Sequence, residues 1–262
     1  MAPPLLSGTV MKSRPNIFLS VIATWFASVL ATSAVPVGPN TLRYSAATEF
    51  VSSGLDEDAK GQVQVSVREL GASKHARLRL TVAKLDPRTS YTLLAIIGDD
   101  TNYVVVTHFK TGPSGRARLV YSRKNHGAHQ LPELLGELAS VSAIAVANTN
   151  REVVLSADLH GSESMQFALT SVLANSGADP FALGCLAVAW QGGAVQFRLF
   201  ATGQSSEFTF CVNGTPVQTY PADATGYIGV GVFPPTAPSP LRFREVSLRN
   251  ASDQVVLRSD LR

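Results

Sequence analysis

The feature that most constrains the fold is the alternation of apolar and polar residues over short segments of the chain. It is clear in ARLRLTV at 76–82, VQFRLF at 195–200 and YIGVGVF at 227–233. A period of two residues places every second side chain on one face, which is typical of a half-buried β-strand. Asn213-Gly214 is a two-residue hairpin signal, because a type I′ turn needs positive φ at both positions. The sequence therefore predicts an all-β protein.

A second feature is internal repetition. The segment REVVLSADL at 151–159 nearly recurs as DQVVLRSDL at 253–261. Other landmarks match in the same order, and the offset falls in steps from 123 residues at GQVQVSV (61–67) to 102 residues at the closing segment. The offset changes between strand-like segments, as expected where copies differ in loop length. Between these two matches along the chain, LRLTV at 78–82 aligns with VQFRL at 195–199. We therefore expect a duplication that gives two tandem immunoglobulin-like β-sandwich modules of about seven strands each.

The repeat and the composition together predict the domain boundaries. We expect a signal peptide at 1–34, a linker at 35–45, a first module at 46–159, a second linker at 160–180 and a second module at 181–262. One short helix is predicted near 132–138, where Pro132 suits the first turn and Leu134, Leu135 and Leu138 would cover the sandwich.

The start of the chain has the layout of a secretory signal. Lys12 and Arg14 precede an apolar run at 17–30, and small residues end at Ala34. The run has 14 residues, whereas a membrane-spanning helix needs roughly 20. We expect a secreted, periplasmic or cell-surface protein, which would contact the membrane only if the signal stayed uncleaved. Without residues 1–34 the chain has 20 basic and 19 acidic residues, so its charge does not indicate a nucleic-acid partner.

An exported chain could oxidise its two cysteines. Alternation places both Cys185 and Cys211 away from the main apolar face. They are a candidate disulfide, and the sequence leaves open whether they are bonded, because it does not give their separation.

The segment LDPRTSYTL at 85–93 resembles the L-x-P-x-T-x-Y stretch of fibronectin type III and related immunoglobulin-like modules. Leu85, Pro87, Thr89 and Tyr91 carry the resemblance. It implies a β-sandwich in which the tyrosine hydroxyl bonds back to nearby backbone. It implies no activity, because such sandwiches host many unrelated functions.

Several residue clusters could carry chemistry. His126 and His129 form an H-x-x-H pair that could bind Zn²⁺ or Cu²⁺ with a third ligand such as His108 or His160, or could be two solvated loop residues. The acidic clusters at 56–58 and 99–100 lack the spacing of a twelve-residue calcium loop.

Two further chemistries compete with ordinary structural roles. Asp158 and His160 have no G-x-S-x-G partner motif, so we predict no catalytic residue. Glycan stacking on exposed aromatic rings stays open. Its candidates are Tyr103, Tyr121 and Tyr220, whereas Trp190 is in phase with core positions.

We expect an exported, non-enzymatic binding or structural protein without a cofactor, which recognises a protein or glycan surface partner through its loops. A metal-binding protein and a carbohydrate-binding accessory protein are the alternatives. Charged residues number 27 over 35–165 and 12 over 166–262. The hypothesis that follows is that the first copy meets solvent and ligand, while the second packs or associates.

Overall fold

The computed structural model describes residues 40–98, 100–124, 127–191 and 193–261. Their first half contains nine β-strands: β1 Asn40–Glu49, β2 Val51–Ser52, β3 Lys60–Leu70, β4 Ser73–Ala83, β5 Ser90–Ile97, β6 Val104–Lys110, β7 Ala117–Ser122, β8 Val141–Ala147 and β9 Val153–Asp158. The second half contains eight: β10 Gln166–Asn175, β11 Leu183–Gln191, β12 Ala194–Thr202, β13 Glu207–Val212, β14 Thr215–Pro221, β15 Tyr227–Val230, β16 Glu245–Arg249 and β17 Val255–Asp260. The prediction of an all-β fold is confirmed.

Two groups of antiparallel strands make up the first half. One follows the order β1-β3-β4-β7, and the other follows β2-β9-β8-β5-β6. Only Phe50 separates β1 from β2, so the chain leaves the first group and enters the second within one residue. There Val51 pairs with Ser156 and Ser52 pairs with Leu155.

The second half has the same pairing order. One group follows β10-β11-β12-β15, and the other follows β17-β16-β13-β14. The last two residues of β10, Ala174 and Asn175, pair with Arg258 and Leu257 of β17. Ala174 and Asn175 therefore take the position beside β17 that Val51 and Ser52 take beside β9.

Irregularities of the ladders also recur. A register shift lies between Leu93 and Leu94 of β5, and another lies between Phe210 and Cys211 of β13. The β8–β9 ladder shifts after Val146, and the β16–β17 ladder shifts after Leu248. Bulges bend and twist a strand at a defined residue, so the two halves share local shape as well as strand order.

The first strands of the two halves join them. β1 and β10 pair antiparallel over six residues on each strand, from Asn40 opposite Ser171 to Ser45 opposite Gln166. The order β7-β4-β3-β1-β10-β11-β12-β15 is therefore one continuous run of hydrogen-bonded strands. All described residues belong to one compact unit.

Alternation directs one face of each strand into the core. In β3 the residues Val63, Val65 and Val67 are buried between exposed neighbours. In the second half the ring of Phe197 on β12 lies 5.7 Å from the ring of Phe210 on β13. These two strands belong to different groups, so their inner faces meet as in a β-sandwich.

The predicted linkers are wrong over 40–45 and 166–175, where the structure has strands β1 and β10. Leu42 and Tyr44 are buried in β1, and Phe167 and Leu169 are buried in β10, so both segments alternate. Ala and Ser at many of the other positions weaken the pattern, and a buried serine, Ser171, interrupts the apolar series of β10.

The predicted helix is also wrong, because the described residues of this region form two single 3₁₀ turns, at Glu133–Leu135 and Leu138–Ser140. Leu135 and Leu138 are buried as expected, but Leu134 is exposed. The segment is too short to sustain an α-helix, and Gly136 divides it.

The sequence alignment of the two halves is two residues out of register in β4. Gly61 pairs with Val82, and Gly184 pairs with Ala201, so Val82 corresponds to Ala201. The sequence match had placed Val82 opposite Leu199. A shift of two residues keeps each side chain on its face, and alternation alone does not detect it.

Candidate functional site

One outer face of the first half is rich in basic side chains. Along β1, β3, β4 and β7 the residues that alternate with the core point outward. The charged residues at these positions are Arg43, Glu49, Lys60, Arg68, Arg77, Arg79 and Arg118. Six are basic and one is acidic. We call the surface formed by the six basic side chains the basic face.

Strand pairing brings the basic side chains together. Arg77 and Arg79 are two residues apart on β4, so they share a face. Arg79 lies opposite Gln64 on β3 and opposite Val120 on β7. Arg77 lies opposite Ser66. Amide and hydroxyl groups therefore flank two guanidinium groups.

A cavity of about 290 Å³ opens on this face. Its polar lining comes from Ser45, Gln64, Ser66, Arg77, Arg79 and Ser164. The Nε atom of Arg79 is buried and has no hydrogen-bond partner among the described residues. A buried polar group without a partner calls for a water molecule or a ligand to complete it.

Four arginines of the basic face are not neutralised within the described part of the chain. Arg68, Arg77, Arg79 and Arg118 form no ion pair with another described residue. By contrast, Arg249 and Arg258 of the second half contact Asp253 and Asp260 at 3.0 Å each. The positive charge of Arg68, Arg77, Arg79 and Arg118 is therefore available to an external anion.

A groove of about 470 Å³ lies between residues of the two halves. Its lining residues are Gly98, Glu137, Ser140, His160, Asn213, Leu241, Arg242, Arg244 and Glu245. The Arg244 guanidinium is 3.9 Å from the Glu137 carboxylate, and Glu245 contacts Arg258 at 3.1 Å. Acidic and basic groups balance here, so the groove has less excess charge than the basic face.

The predicted metal ligands are not brought together in the part of the chain that is described. His126 lies outside the described residues, and His129 is exposed in the 3₁₀ turn Gly127–His129. The candidate third ligands contact other groups: His108 Nδ1 is 3.0 Å from Thr92 Oγ1, and His160 Nε2 is 3.3 Å from the Ala139 carbonyl. No cluster of three or more His, Cys, Asp or Glu occurs among the described residues. The metal site stays a prediction.

The acidic candidates have ordinary local contacts. Asp56, Glu57 and Asp58 precede β3, and the Asp58 carboxylate is 3.6 Å from the Lys84 ammonium. Asp99 lies outside the described residues. Asp158 accepts a hydrogen bond of 2.9 Å from the Gly161 backbone, which stabilises the turn after β9.

Both cysteines are free thiols in the structure, so the candidate disulfide is not formed there. Cys185 is exposed on β11, as the alternation predicted. Cys211 is fully buried, because the bulge after Phe210 interrupts the alternation of β13. Burial raises the pKa of the Cys211 thiol, and desolvation by the neighbouring side chains raises that of the partly covered Cys185 thiol.

The candidate aromatic platform is only partly at the surface. Tyr103 is exposed, Tyr121 is buried, and Tyr220 and Trp190 are half-buried. Sequence reasoning missed Tyr227, which is exposed and stacks on Phe200 at a centroid distance of 6.4 Å. The alternation of YIGVGVF could have placed Tyr227 on the outer face.

The basic face was also missed. The near-zero net charge after residue 34 conceals it, because a sum over the chain does not show where charges lie. The signal was present in HARLR, where the histidine and both arginines alternate with core residues.

No protein-family model matches the chain, and no curated protein matches it. Among the described residues, no helix is long and apolar enough to cross a membrane.

Proposed function

We propose that this chain is an exported, non-enzymatic binding protein that holds an acidic polysaccharide on its basic face. The observation that carries the proposal is the buried, unpartnered Nε of Arg79 in a cavity that it shares with Arg77, Gln64 and Ser66. A guanidinium group binds carboxylate or sulfate oxygens through two parallel hydrogen bonds. The neighbouring amide and hydroxyl groups suit the hydroxyls of a sugar.

The proposed scaffold is a duplicated β-sandwich. The shared strand order, the matching bulges and the matching crossover to the last strand support it. The immunoglobulin-like character has one further support in Tyr91, whose hydroxyl accepts a hydrogen bond of 3.1 Å from the Asp86 backbone N–H. That bond is the back-bonded tyrosine that the L-x-P-x-T-x-Y resemblance implies.

A polysaccharide suits this face better than a nucleic acid does. The outward positions of β1, β3, β4 and β7 carry no Phe, Tyr or Trp on which bases could stack. They form the face of a sheet, whereas reading of duplex DNA inserts a helix or a two-stranded ribbon into the major groove. The predicted signal peptide also points to an exported location.

The test is retention on immobilised polyuronate and sulfated polysaccharide, with neutral dextran and duplex DNA as comparisons. The Arg77→Gln/Arg79→Gln double variant should bind the acidic polysaccharides at least about tenfold more weakly, because each charge-assisted pair contributes roughly 1.5–3 kcal/mol. Added salt should weaken wild-type binding more than it weakens binding by the variant.

The matched control is Arg244→Gln/Arg258→Gln, which removes the same charge from surface ion pairs outside the basic face. It should bind as the wild type does. The proposal fails if both double variants lose affinity equally, if neither does, or if duplex DNA binds more tightly than the polysaccharides.

A further inference from the structure

The outer face of the second half is apolar where that of the first half is charged. On β10, β11, β12 and β15 the exposed side chains include Leu183 at 72%, Val172 at 55% and Tyr227 at 39%. Cys185 is exposed beside Val172, and Phe200 lies opposite Cys185. We call these five residues the apolar face. The largest apolar patch on a protein surface is often functional, so this face is a candidate interaction site.

The shared scaffold gives an internal comparison, row by row. In the first half, strand pairing sets Glu49, Gln62, Thr81 and Arg118 side by side across β1, β3, β4 and β7. The equivalent row in the second half is Val172, Cys185, Phe200 and Gly229. One row has two charged ends, and the other has no polar side chain except a thiol. Equivalent strands of the two halves therefore present two different surfaces.

Tyr227 extends this surface by lying over a glycine. A Cβ atom at Gly229 would come within 2.7 Å of the Tyr227 hydroxyl, so a larger residue there would displace the ring from this position. The ring then stacks on Phe200 at an interplanar angle of 29°. In the first half Arg118 occupies the place of Gly229 and projects its charge outward. The second half thus gains a flat aromatic area.

We propose that the apolar face binds a second copy of this chain, apolar face to apolar face, across a two-fold axis. Arg198 is the single charged side chain at the outward positions of β10, β11, β12 and β15, so two copies meet there with little like-charge repulsion. Docking the basic face onto the apolar face would bury arginines without partners, which is strongly unfavourable.

The size of the face sets the strength of the dimer. The whole outer face of the four strands, which are spaced about 4.8 Å apart and have ten, nine and nine residues in the three longest, covers roughly 15 by 30 Å, and the apolar face is part of it. A stable interface of standard size uses about 800 Å² from each partner. The apolar face is smaller, so the dimer should dissociate on dilution.

The experiment is sedimentation of the full chain over a wide range of protein concentration. The wild type should shift from monomer to dimer as concentration rises. Leu183→Lys introduces the residue that the first half has at Lys60, and it should weaken dimerisation by at least about tenfold, because the interface would then bury an unpaired ammonium group. The matched control is Leu134→Lys, which changes an exposed leucine outside the face and should dimerise as the wild type does.

Thiol labelling supplies an independent readout under native conditions. Because Cys185 lies in the apolar face and Cys211 is buried, a maleimide should label Cys185 more slowly at concentrations where the dimer forms. Circular dichroism of each variant checks that it is folded. The proposal is overturned if the wild type stays monomeric at every concentration, which would assign the face to a different occupant. It is also overturned if Leu183→Lys and Leu134→Lys dimerise equally well.

Discussion

Each half contains a cross-strand pair made of a tyrosine and a phenylalanine. The tyrosine lies on the earlier strand of the pair in the first half and on the later strand in the second half. Tyr91 pairs with Phe109 on β5 and β6, and Phe208 pairs with Tyr220 on β13 and β14. The Tyr91 hydroxyl accepts the Asp86 N–H, whereas the buried Tyr220 hydroxyl has no partner among the described residues. The same scaffold thus contains one satisfied phenol and one that is unsatisfied.

The two phenols should respond differently to removal of their oxygen. Tyr91→Phe should lower the free energy of unfolding by about 1–3 kcal/mol, because it leaves the Asp86 N–H without an acceptor. Tyr220→Phe should leave stability unchanged or raise it, because the hydroxyl that it removes is already unpaired. Urea unfolding of both variants measures this difference, and equal losses would contradict it.

At the scale of elements, the turns that close the two halves are built alike. Between β8 and β9 the Asn148 Oδ1 accepts hydrogen bonds of 3.0 Å from the N–H groups of Asn150 and Glu152. Between β16 and β17 the Asn250 Oδ1 accepts them from Ser252 and Gln254 at 3.0 and 2.9 Å. The turns differ in the acceptor of the asparagine Nδ2: in the first it donates to the Glu152 carboxylate at 2.8 Å, and in the second to the side-chain amide oxygen of Gln254 at 3.2 Å.

Asn148→Asp should therefore destabilise the protein more than Asn250→Asp does at neutral pH. Both variants keep the acceptor oxygen, but only the first places a new carboxylate against that of Glu152. Like charges raise the pKa of such a pair in the folded state, so the extra loss should disappear as pH falls and one carboxyl takes up a proton. Thermal unfolding between neutral and acidic pH measures this. Glu152→Gln should rescue Asn148→Asp at neutral pH, and a pH-independent difference would contradict the explanation.

Much of the element structure could be predicted from the sequence, because alternation and turn residues are local signals. The first strand of each half was missed, because Ala and Ser at many positions of β1 and β10 weaken the apolar alternation. The candidate site was missed for a different reason. Arg68, Arg77 and Arg118 are separated along the chain, and only strand pairing gathers them on one face. Burial of Cys211 depends on a bulge, which breaks the period that sequence reasoning assumes.

At the scale of the whole molecule, the two halves share hydrogen bonds at their junction. Asn40 at the start of β1 accepts a hydrogen bond of 2.7 Å from Ser171 of β10 and donates one of 3.0 Å to the Asp260 carbonyl of β17. Ser171 Oγ also lies 2.7 Å from Ser259 Oγ. This polar network, buried at Ser171 and Ser259, connects the first strand of the first half to the first and last strands of the second.

We expect the two halves to unfold together. Leu80→Ala removes a fully buried side chain from β4 and should lower the free energy of unfolding by about 2–5 kcal/mol. Trp190 lies on β11 of the other half, and in a Trp25→Phe background it is the single tryptophan. Its fluorescence midpoint in urea should fall together with the circular dichroism midpoint. A Trp190 transition that stays at its wild-type position would show that the halves unfold independently.

The pairing of β1 with β10 also bears on how the protein avoids aggregation. Separated halves would each present an unpaired edge along the first strand, which another chain could extend. In the intact chain β1 and β10 pair with each other, so neither of these two edges is open. Of the edges that remain, β14 carries Pro216 and Pro221, which donate no backbone hydrogen bond, and β15 has only four residues. β6 and β7 contain no proline, so intermolecular sheet growth in a concentrated sample should begin at the edges of the first half.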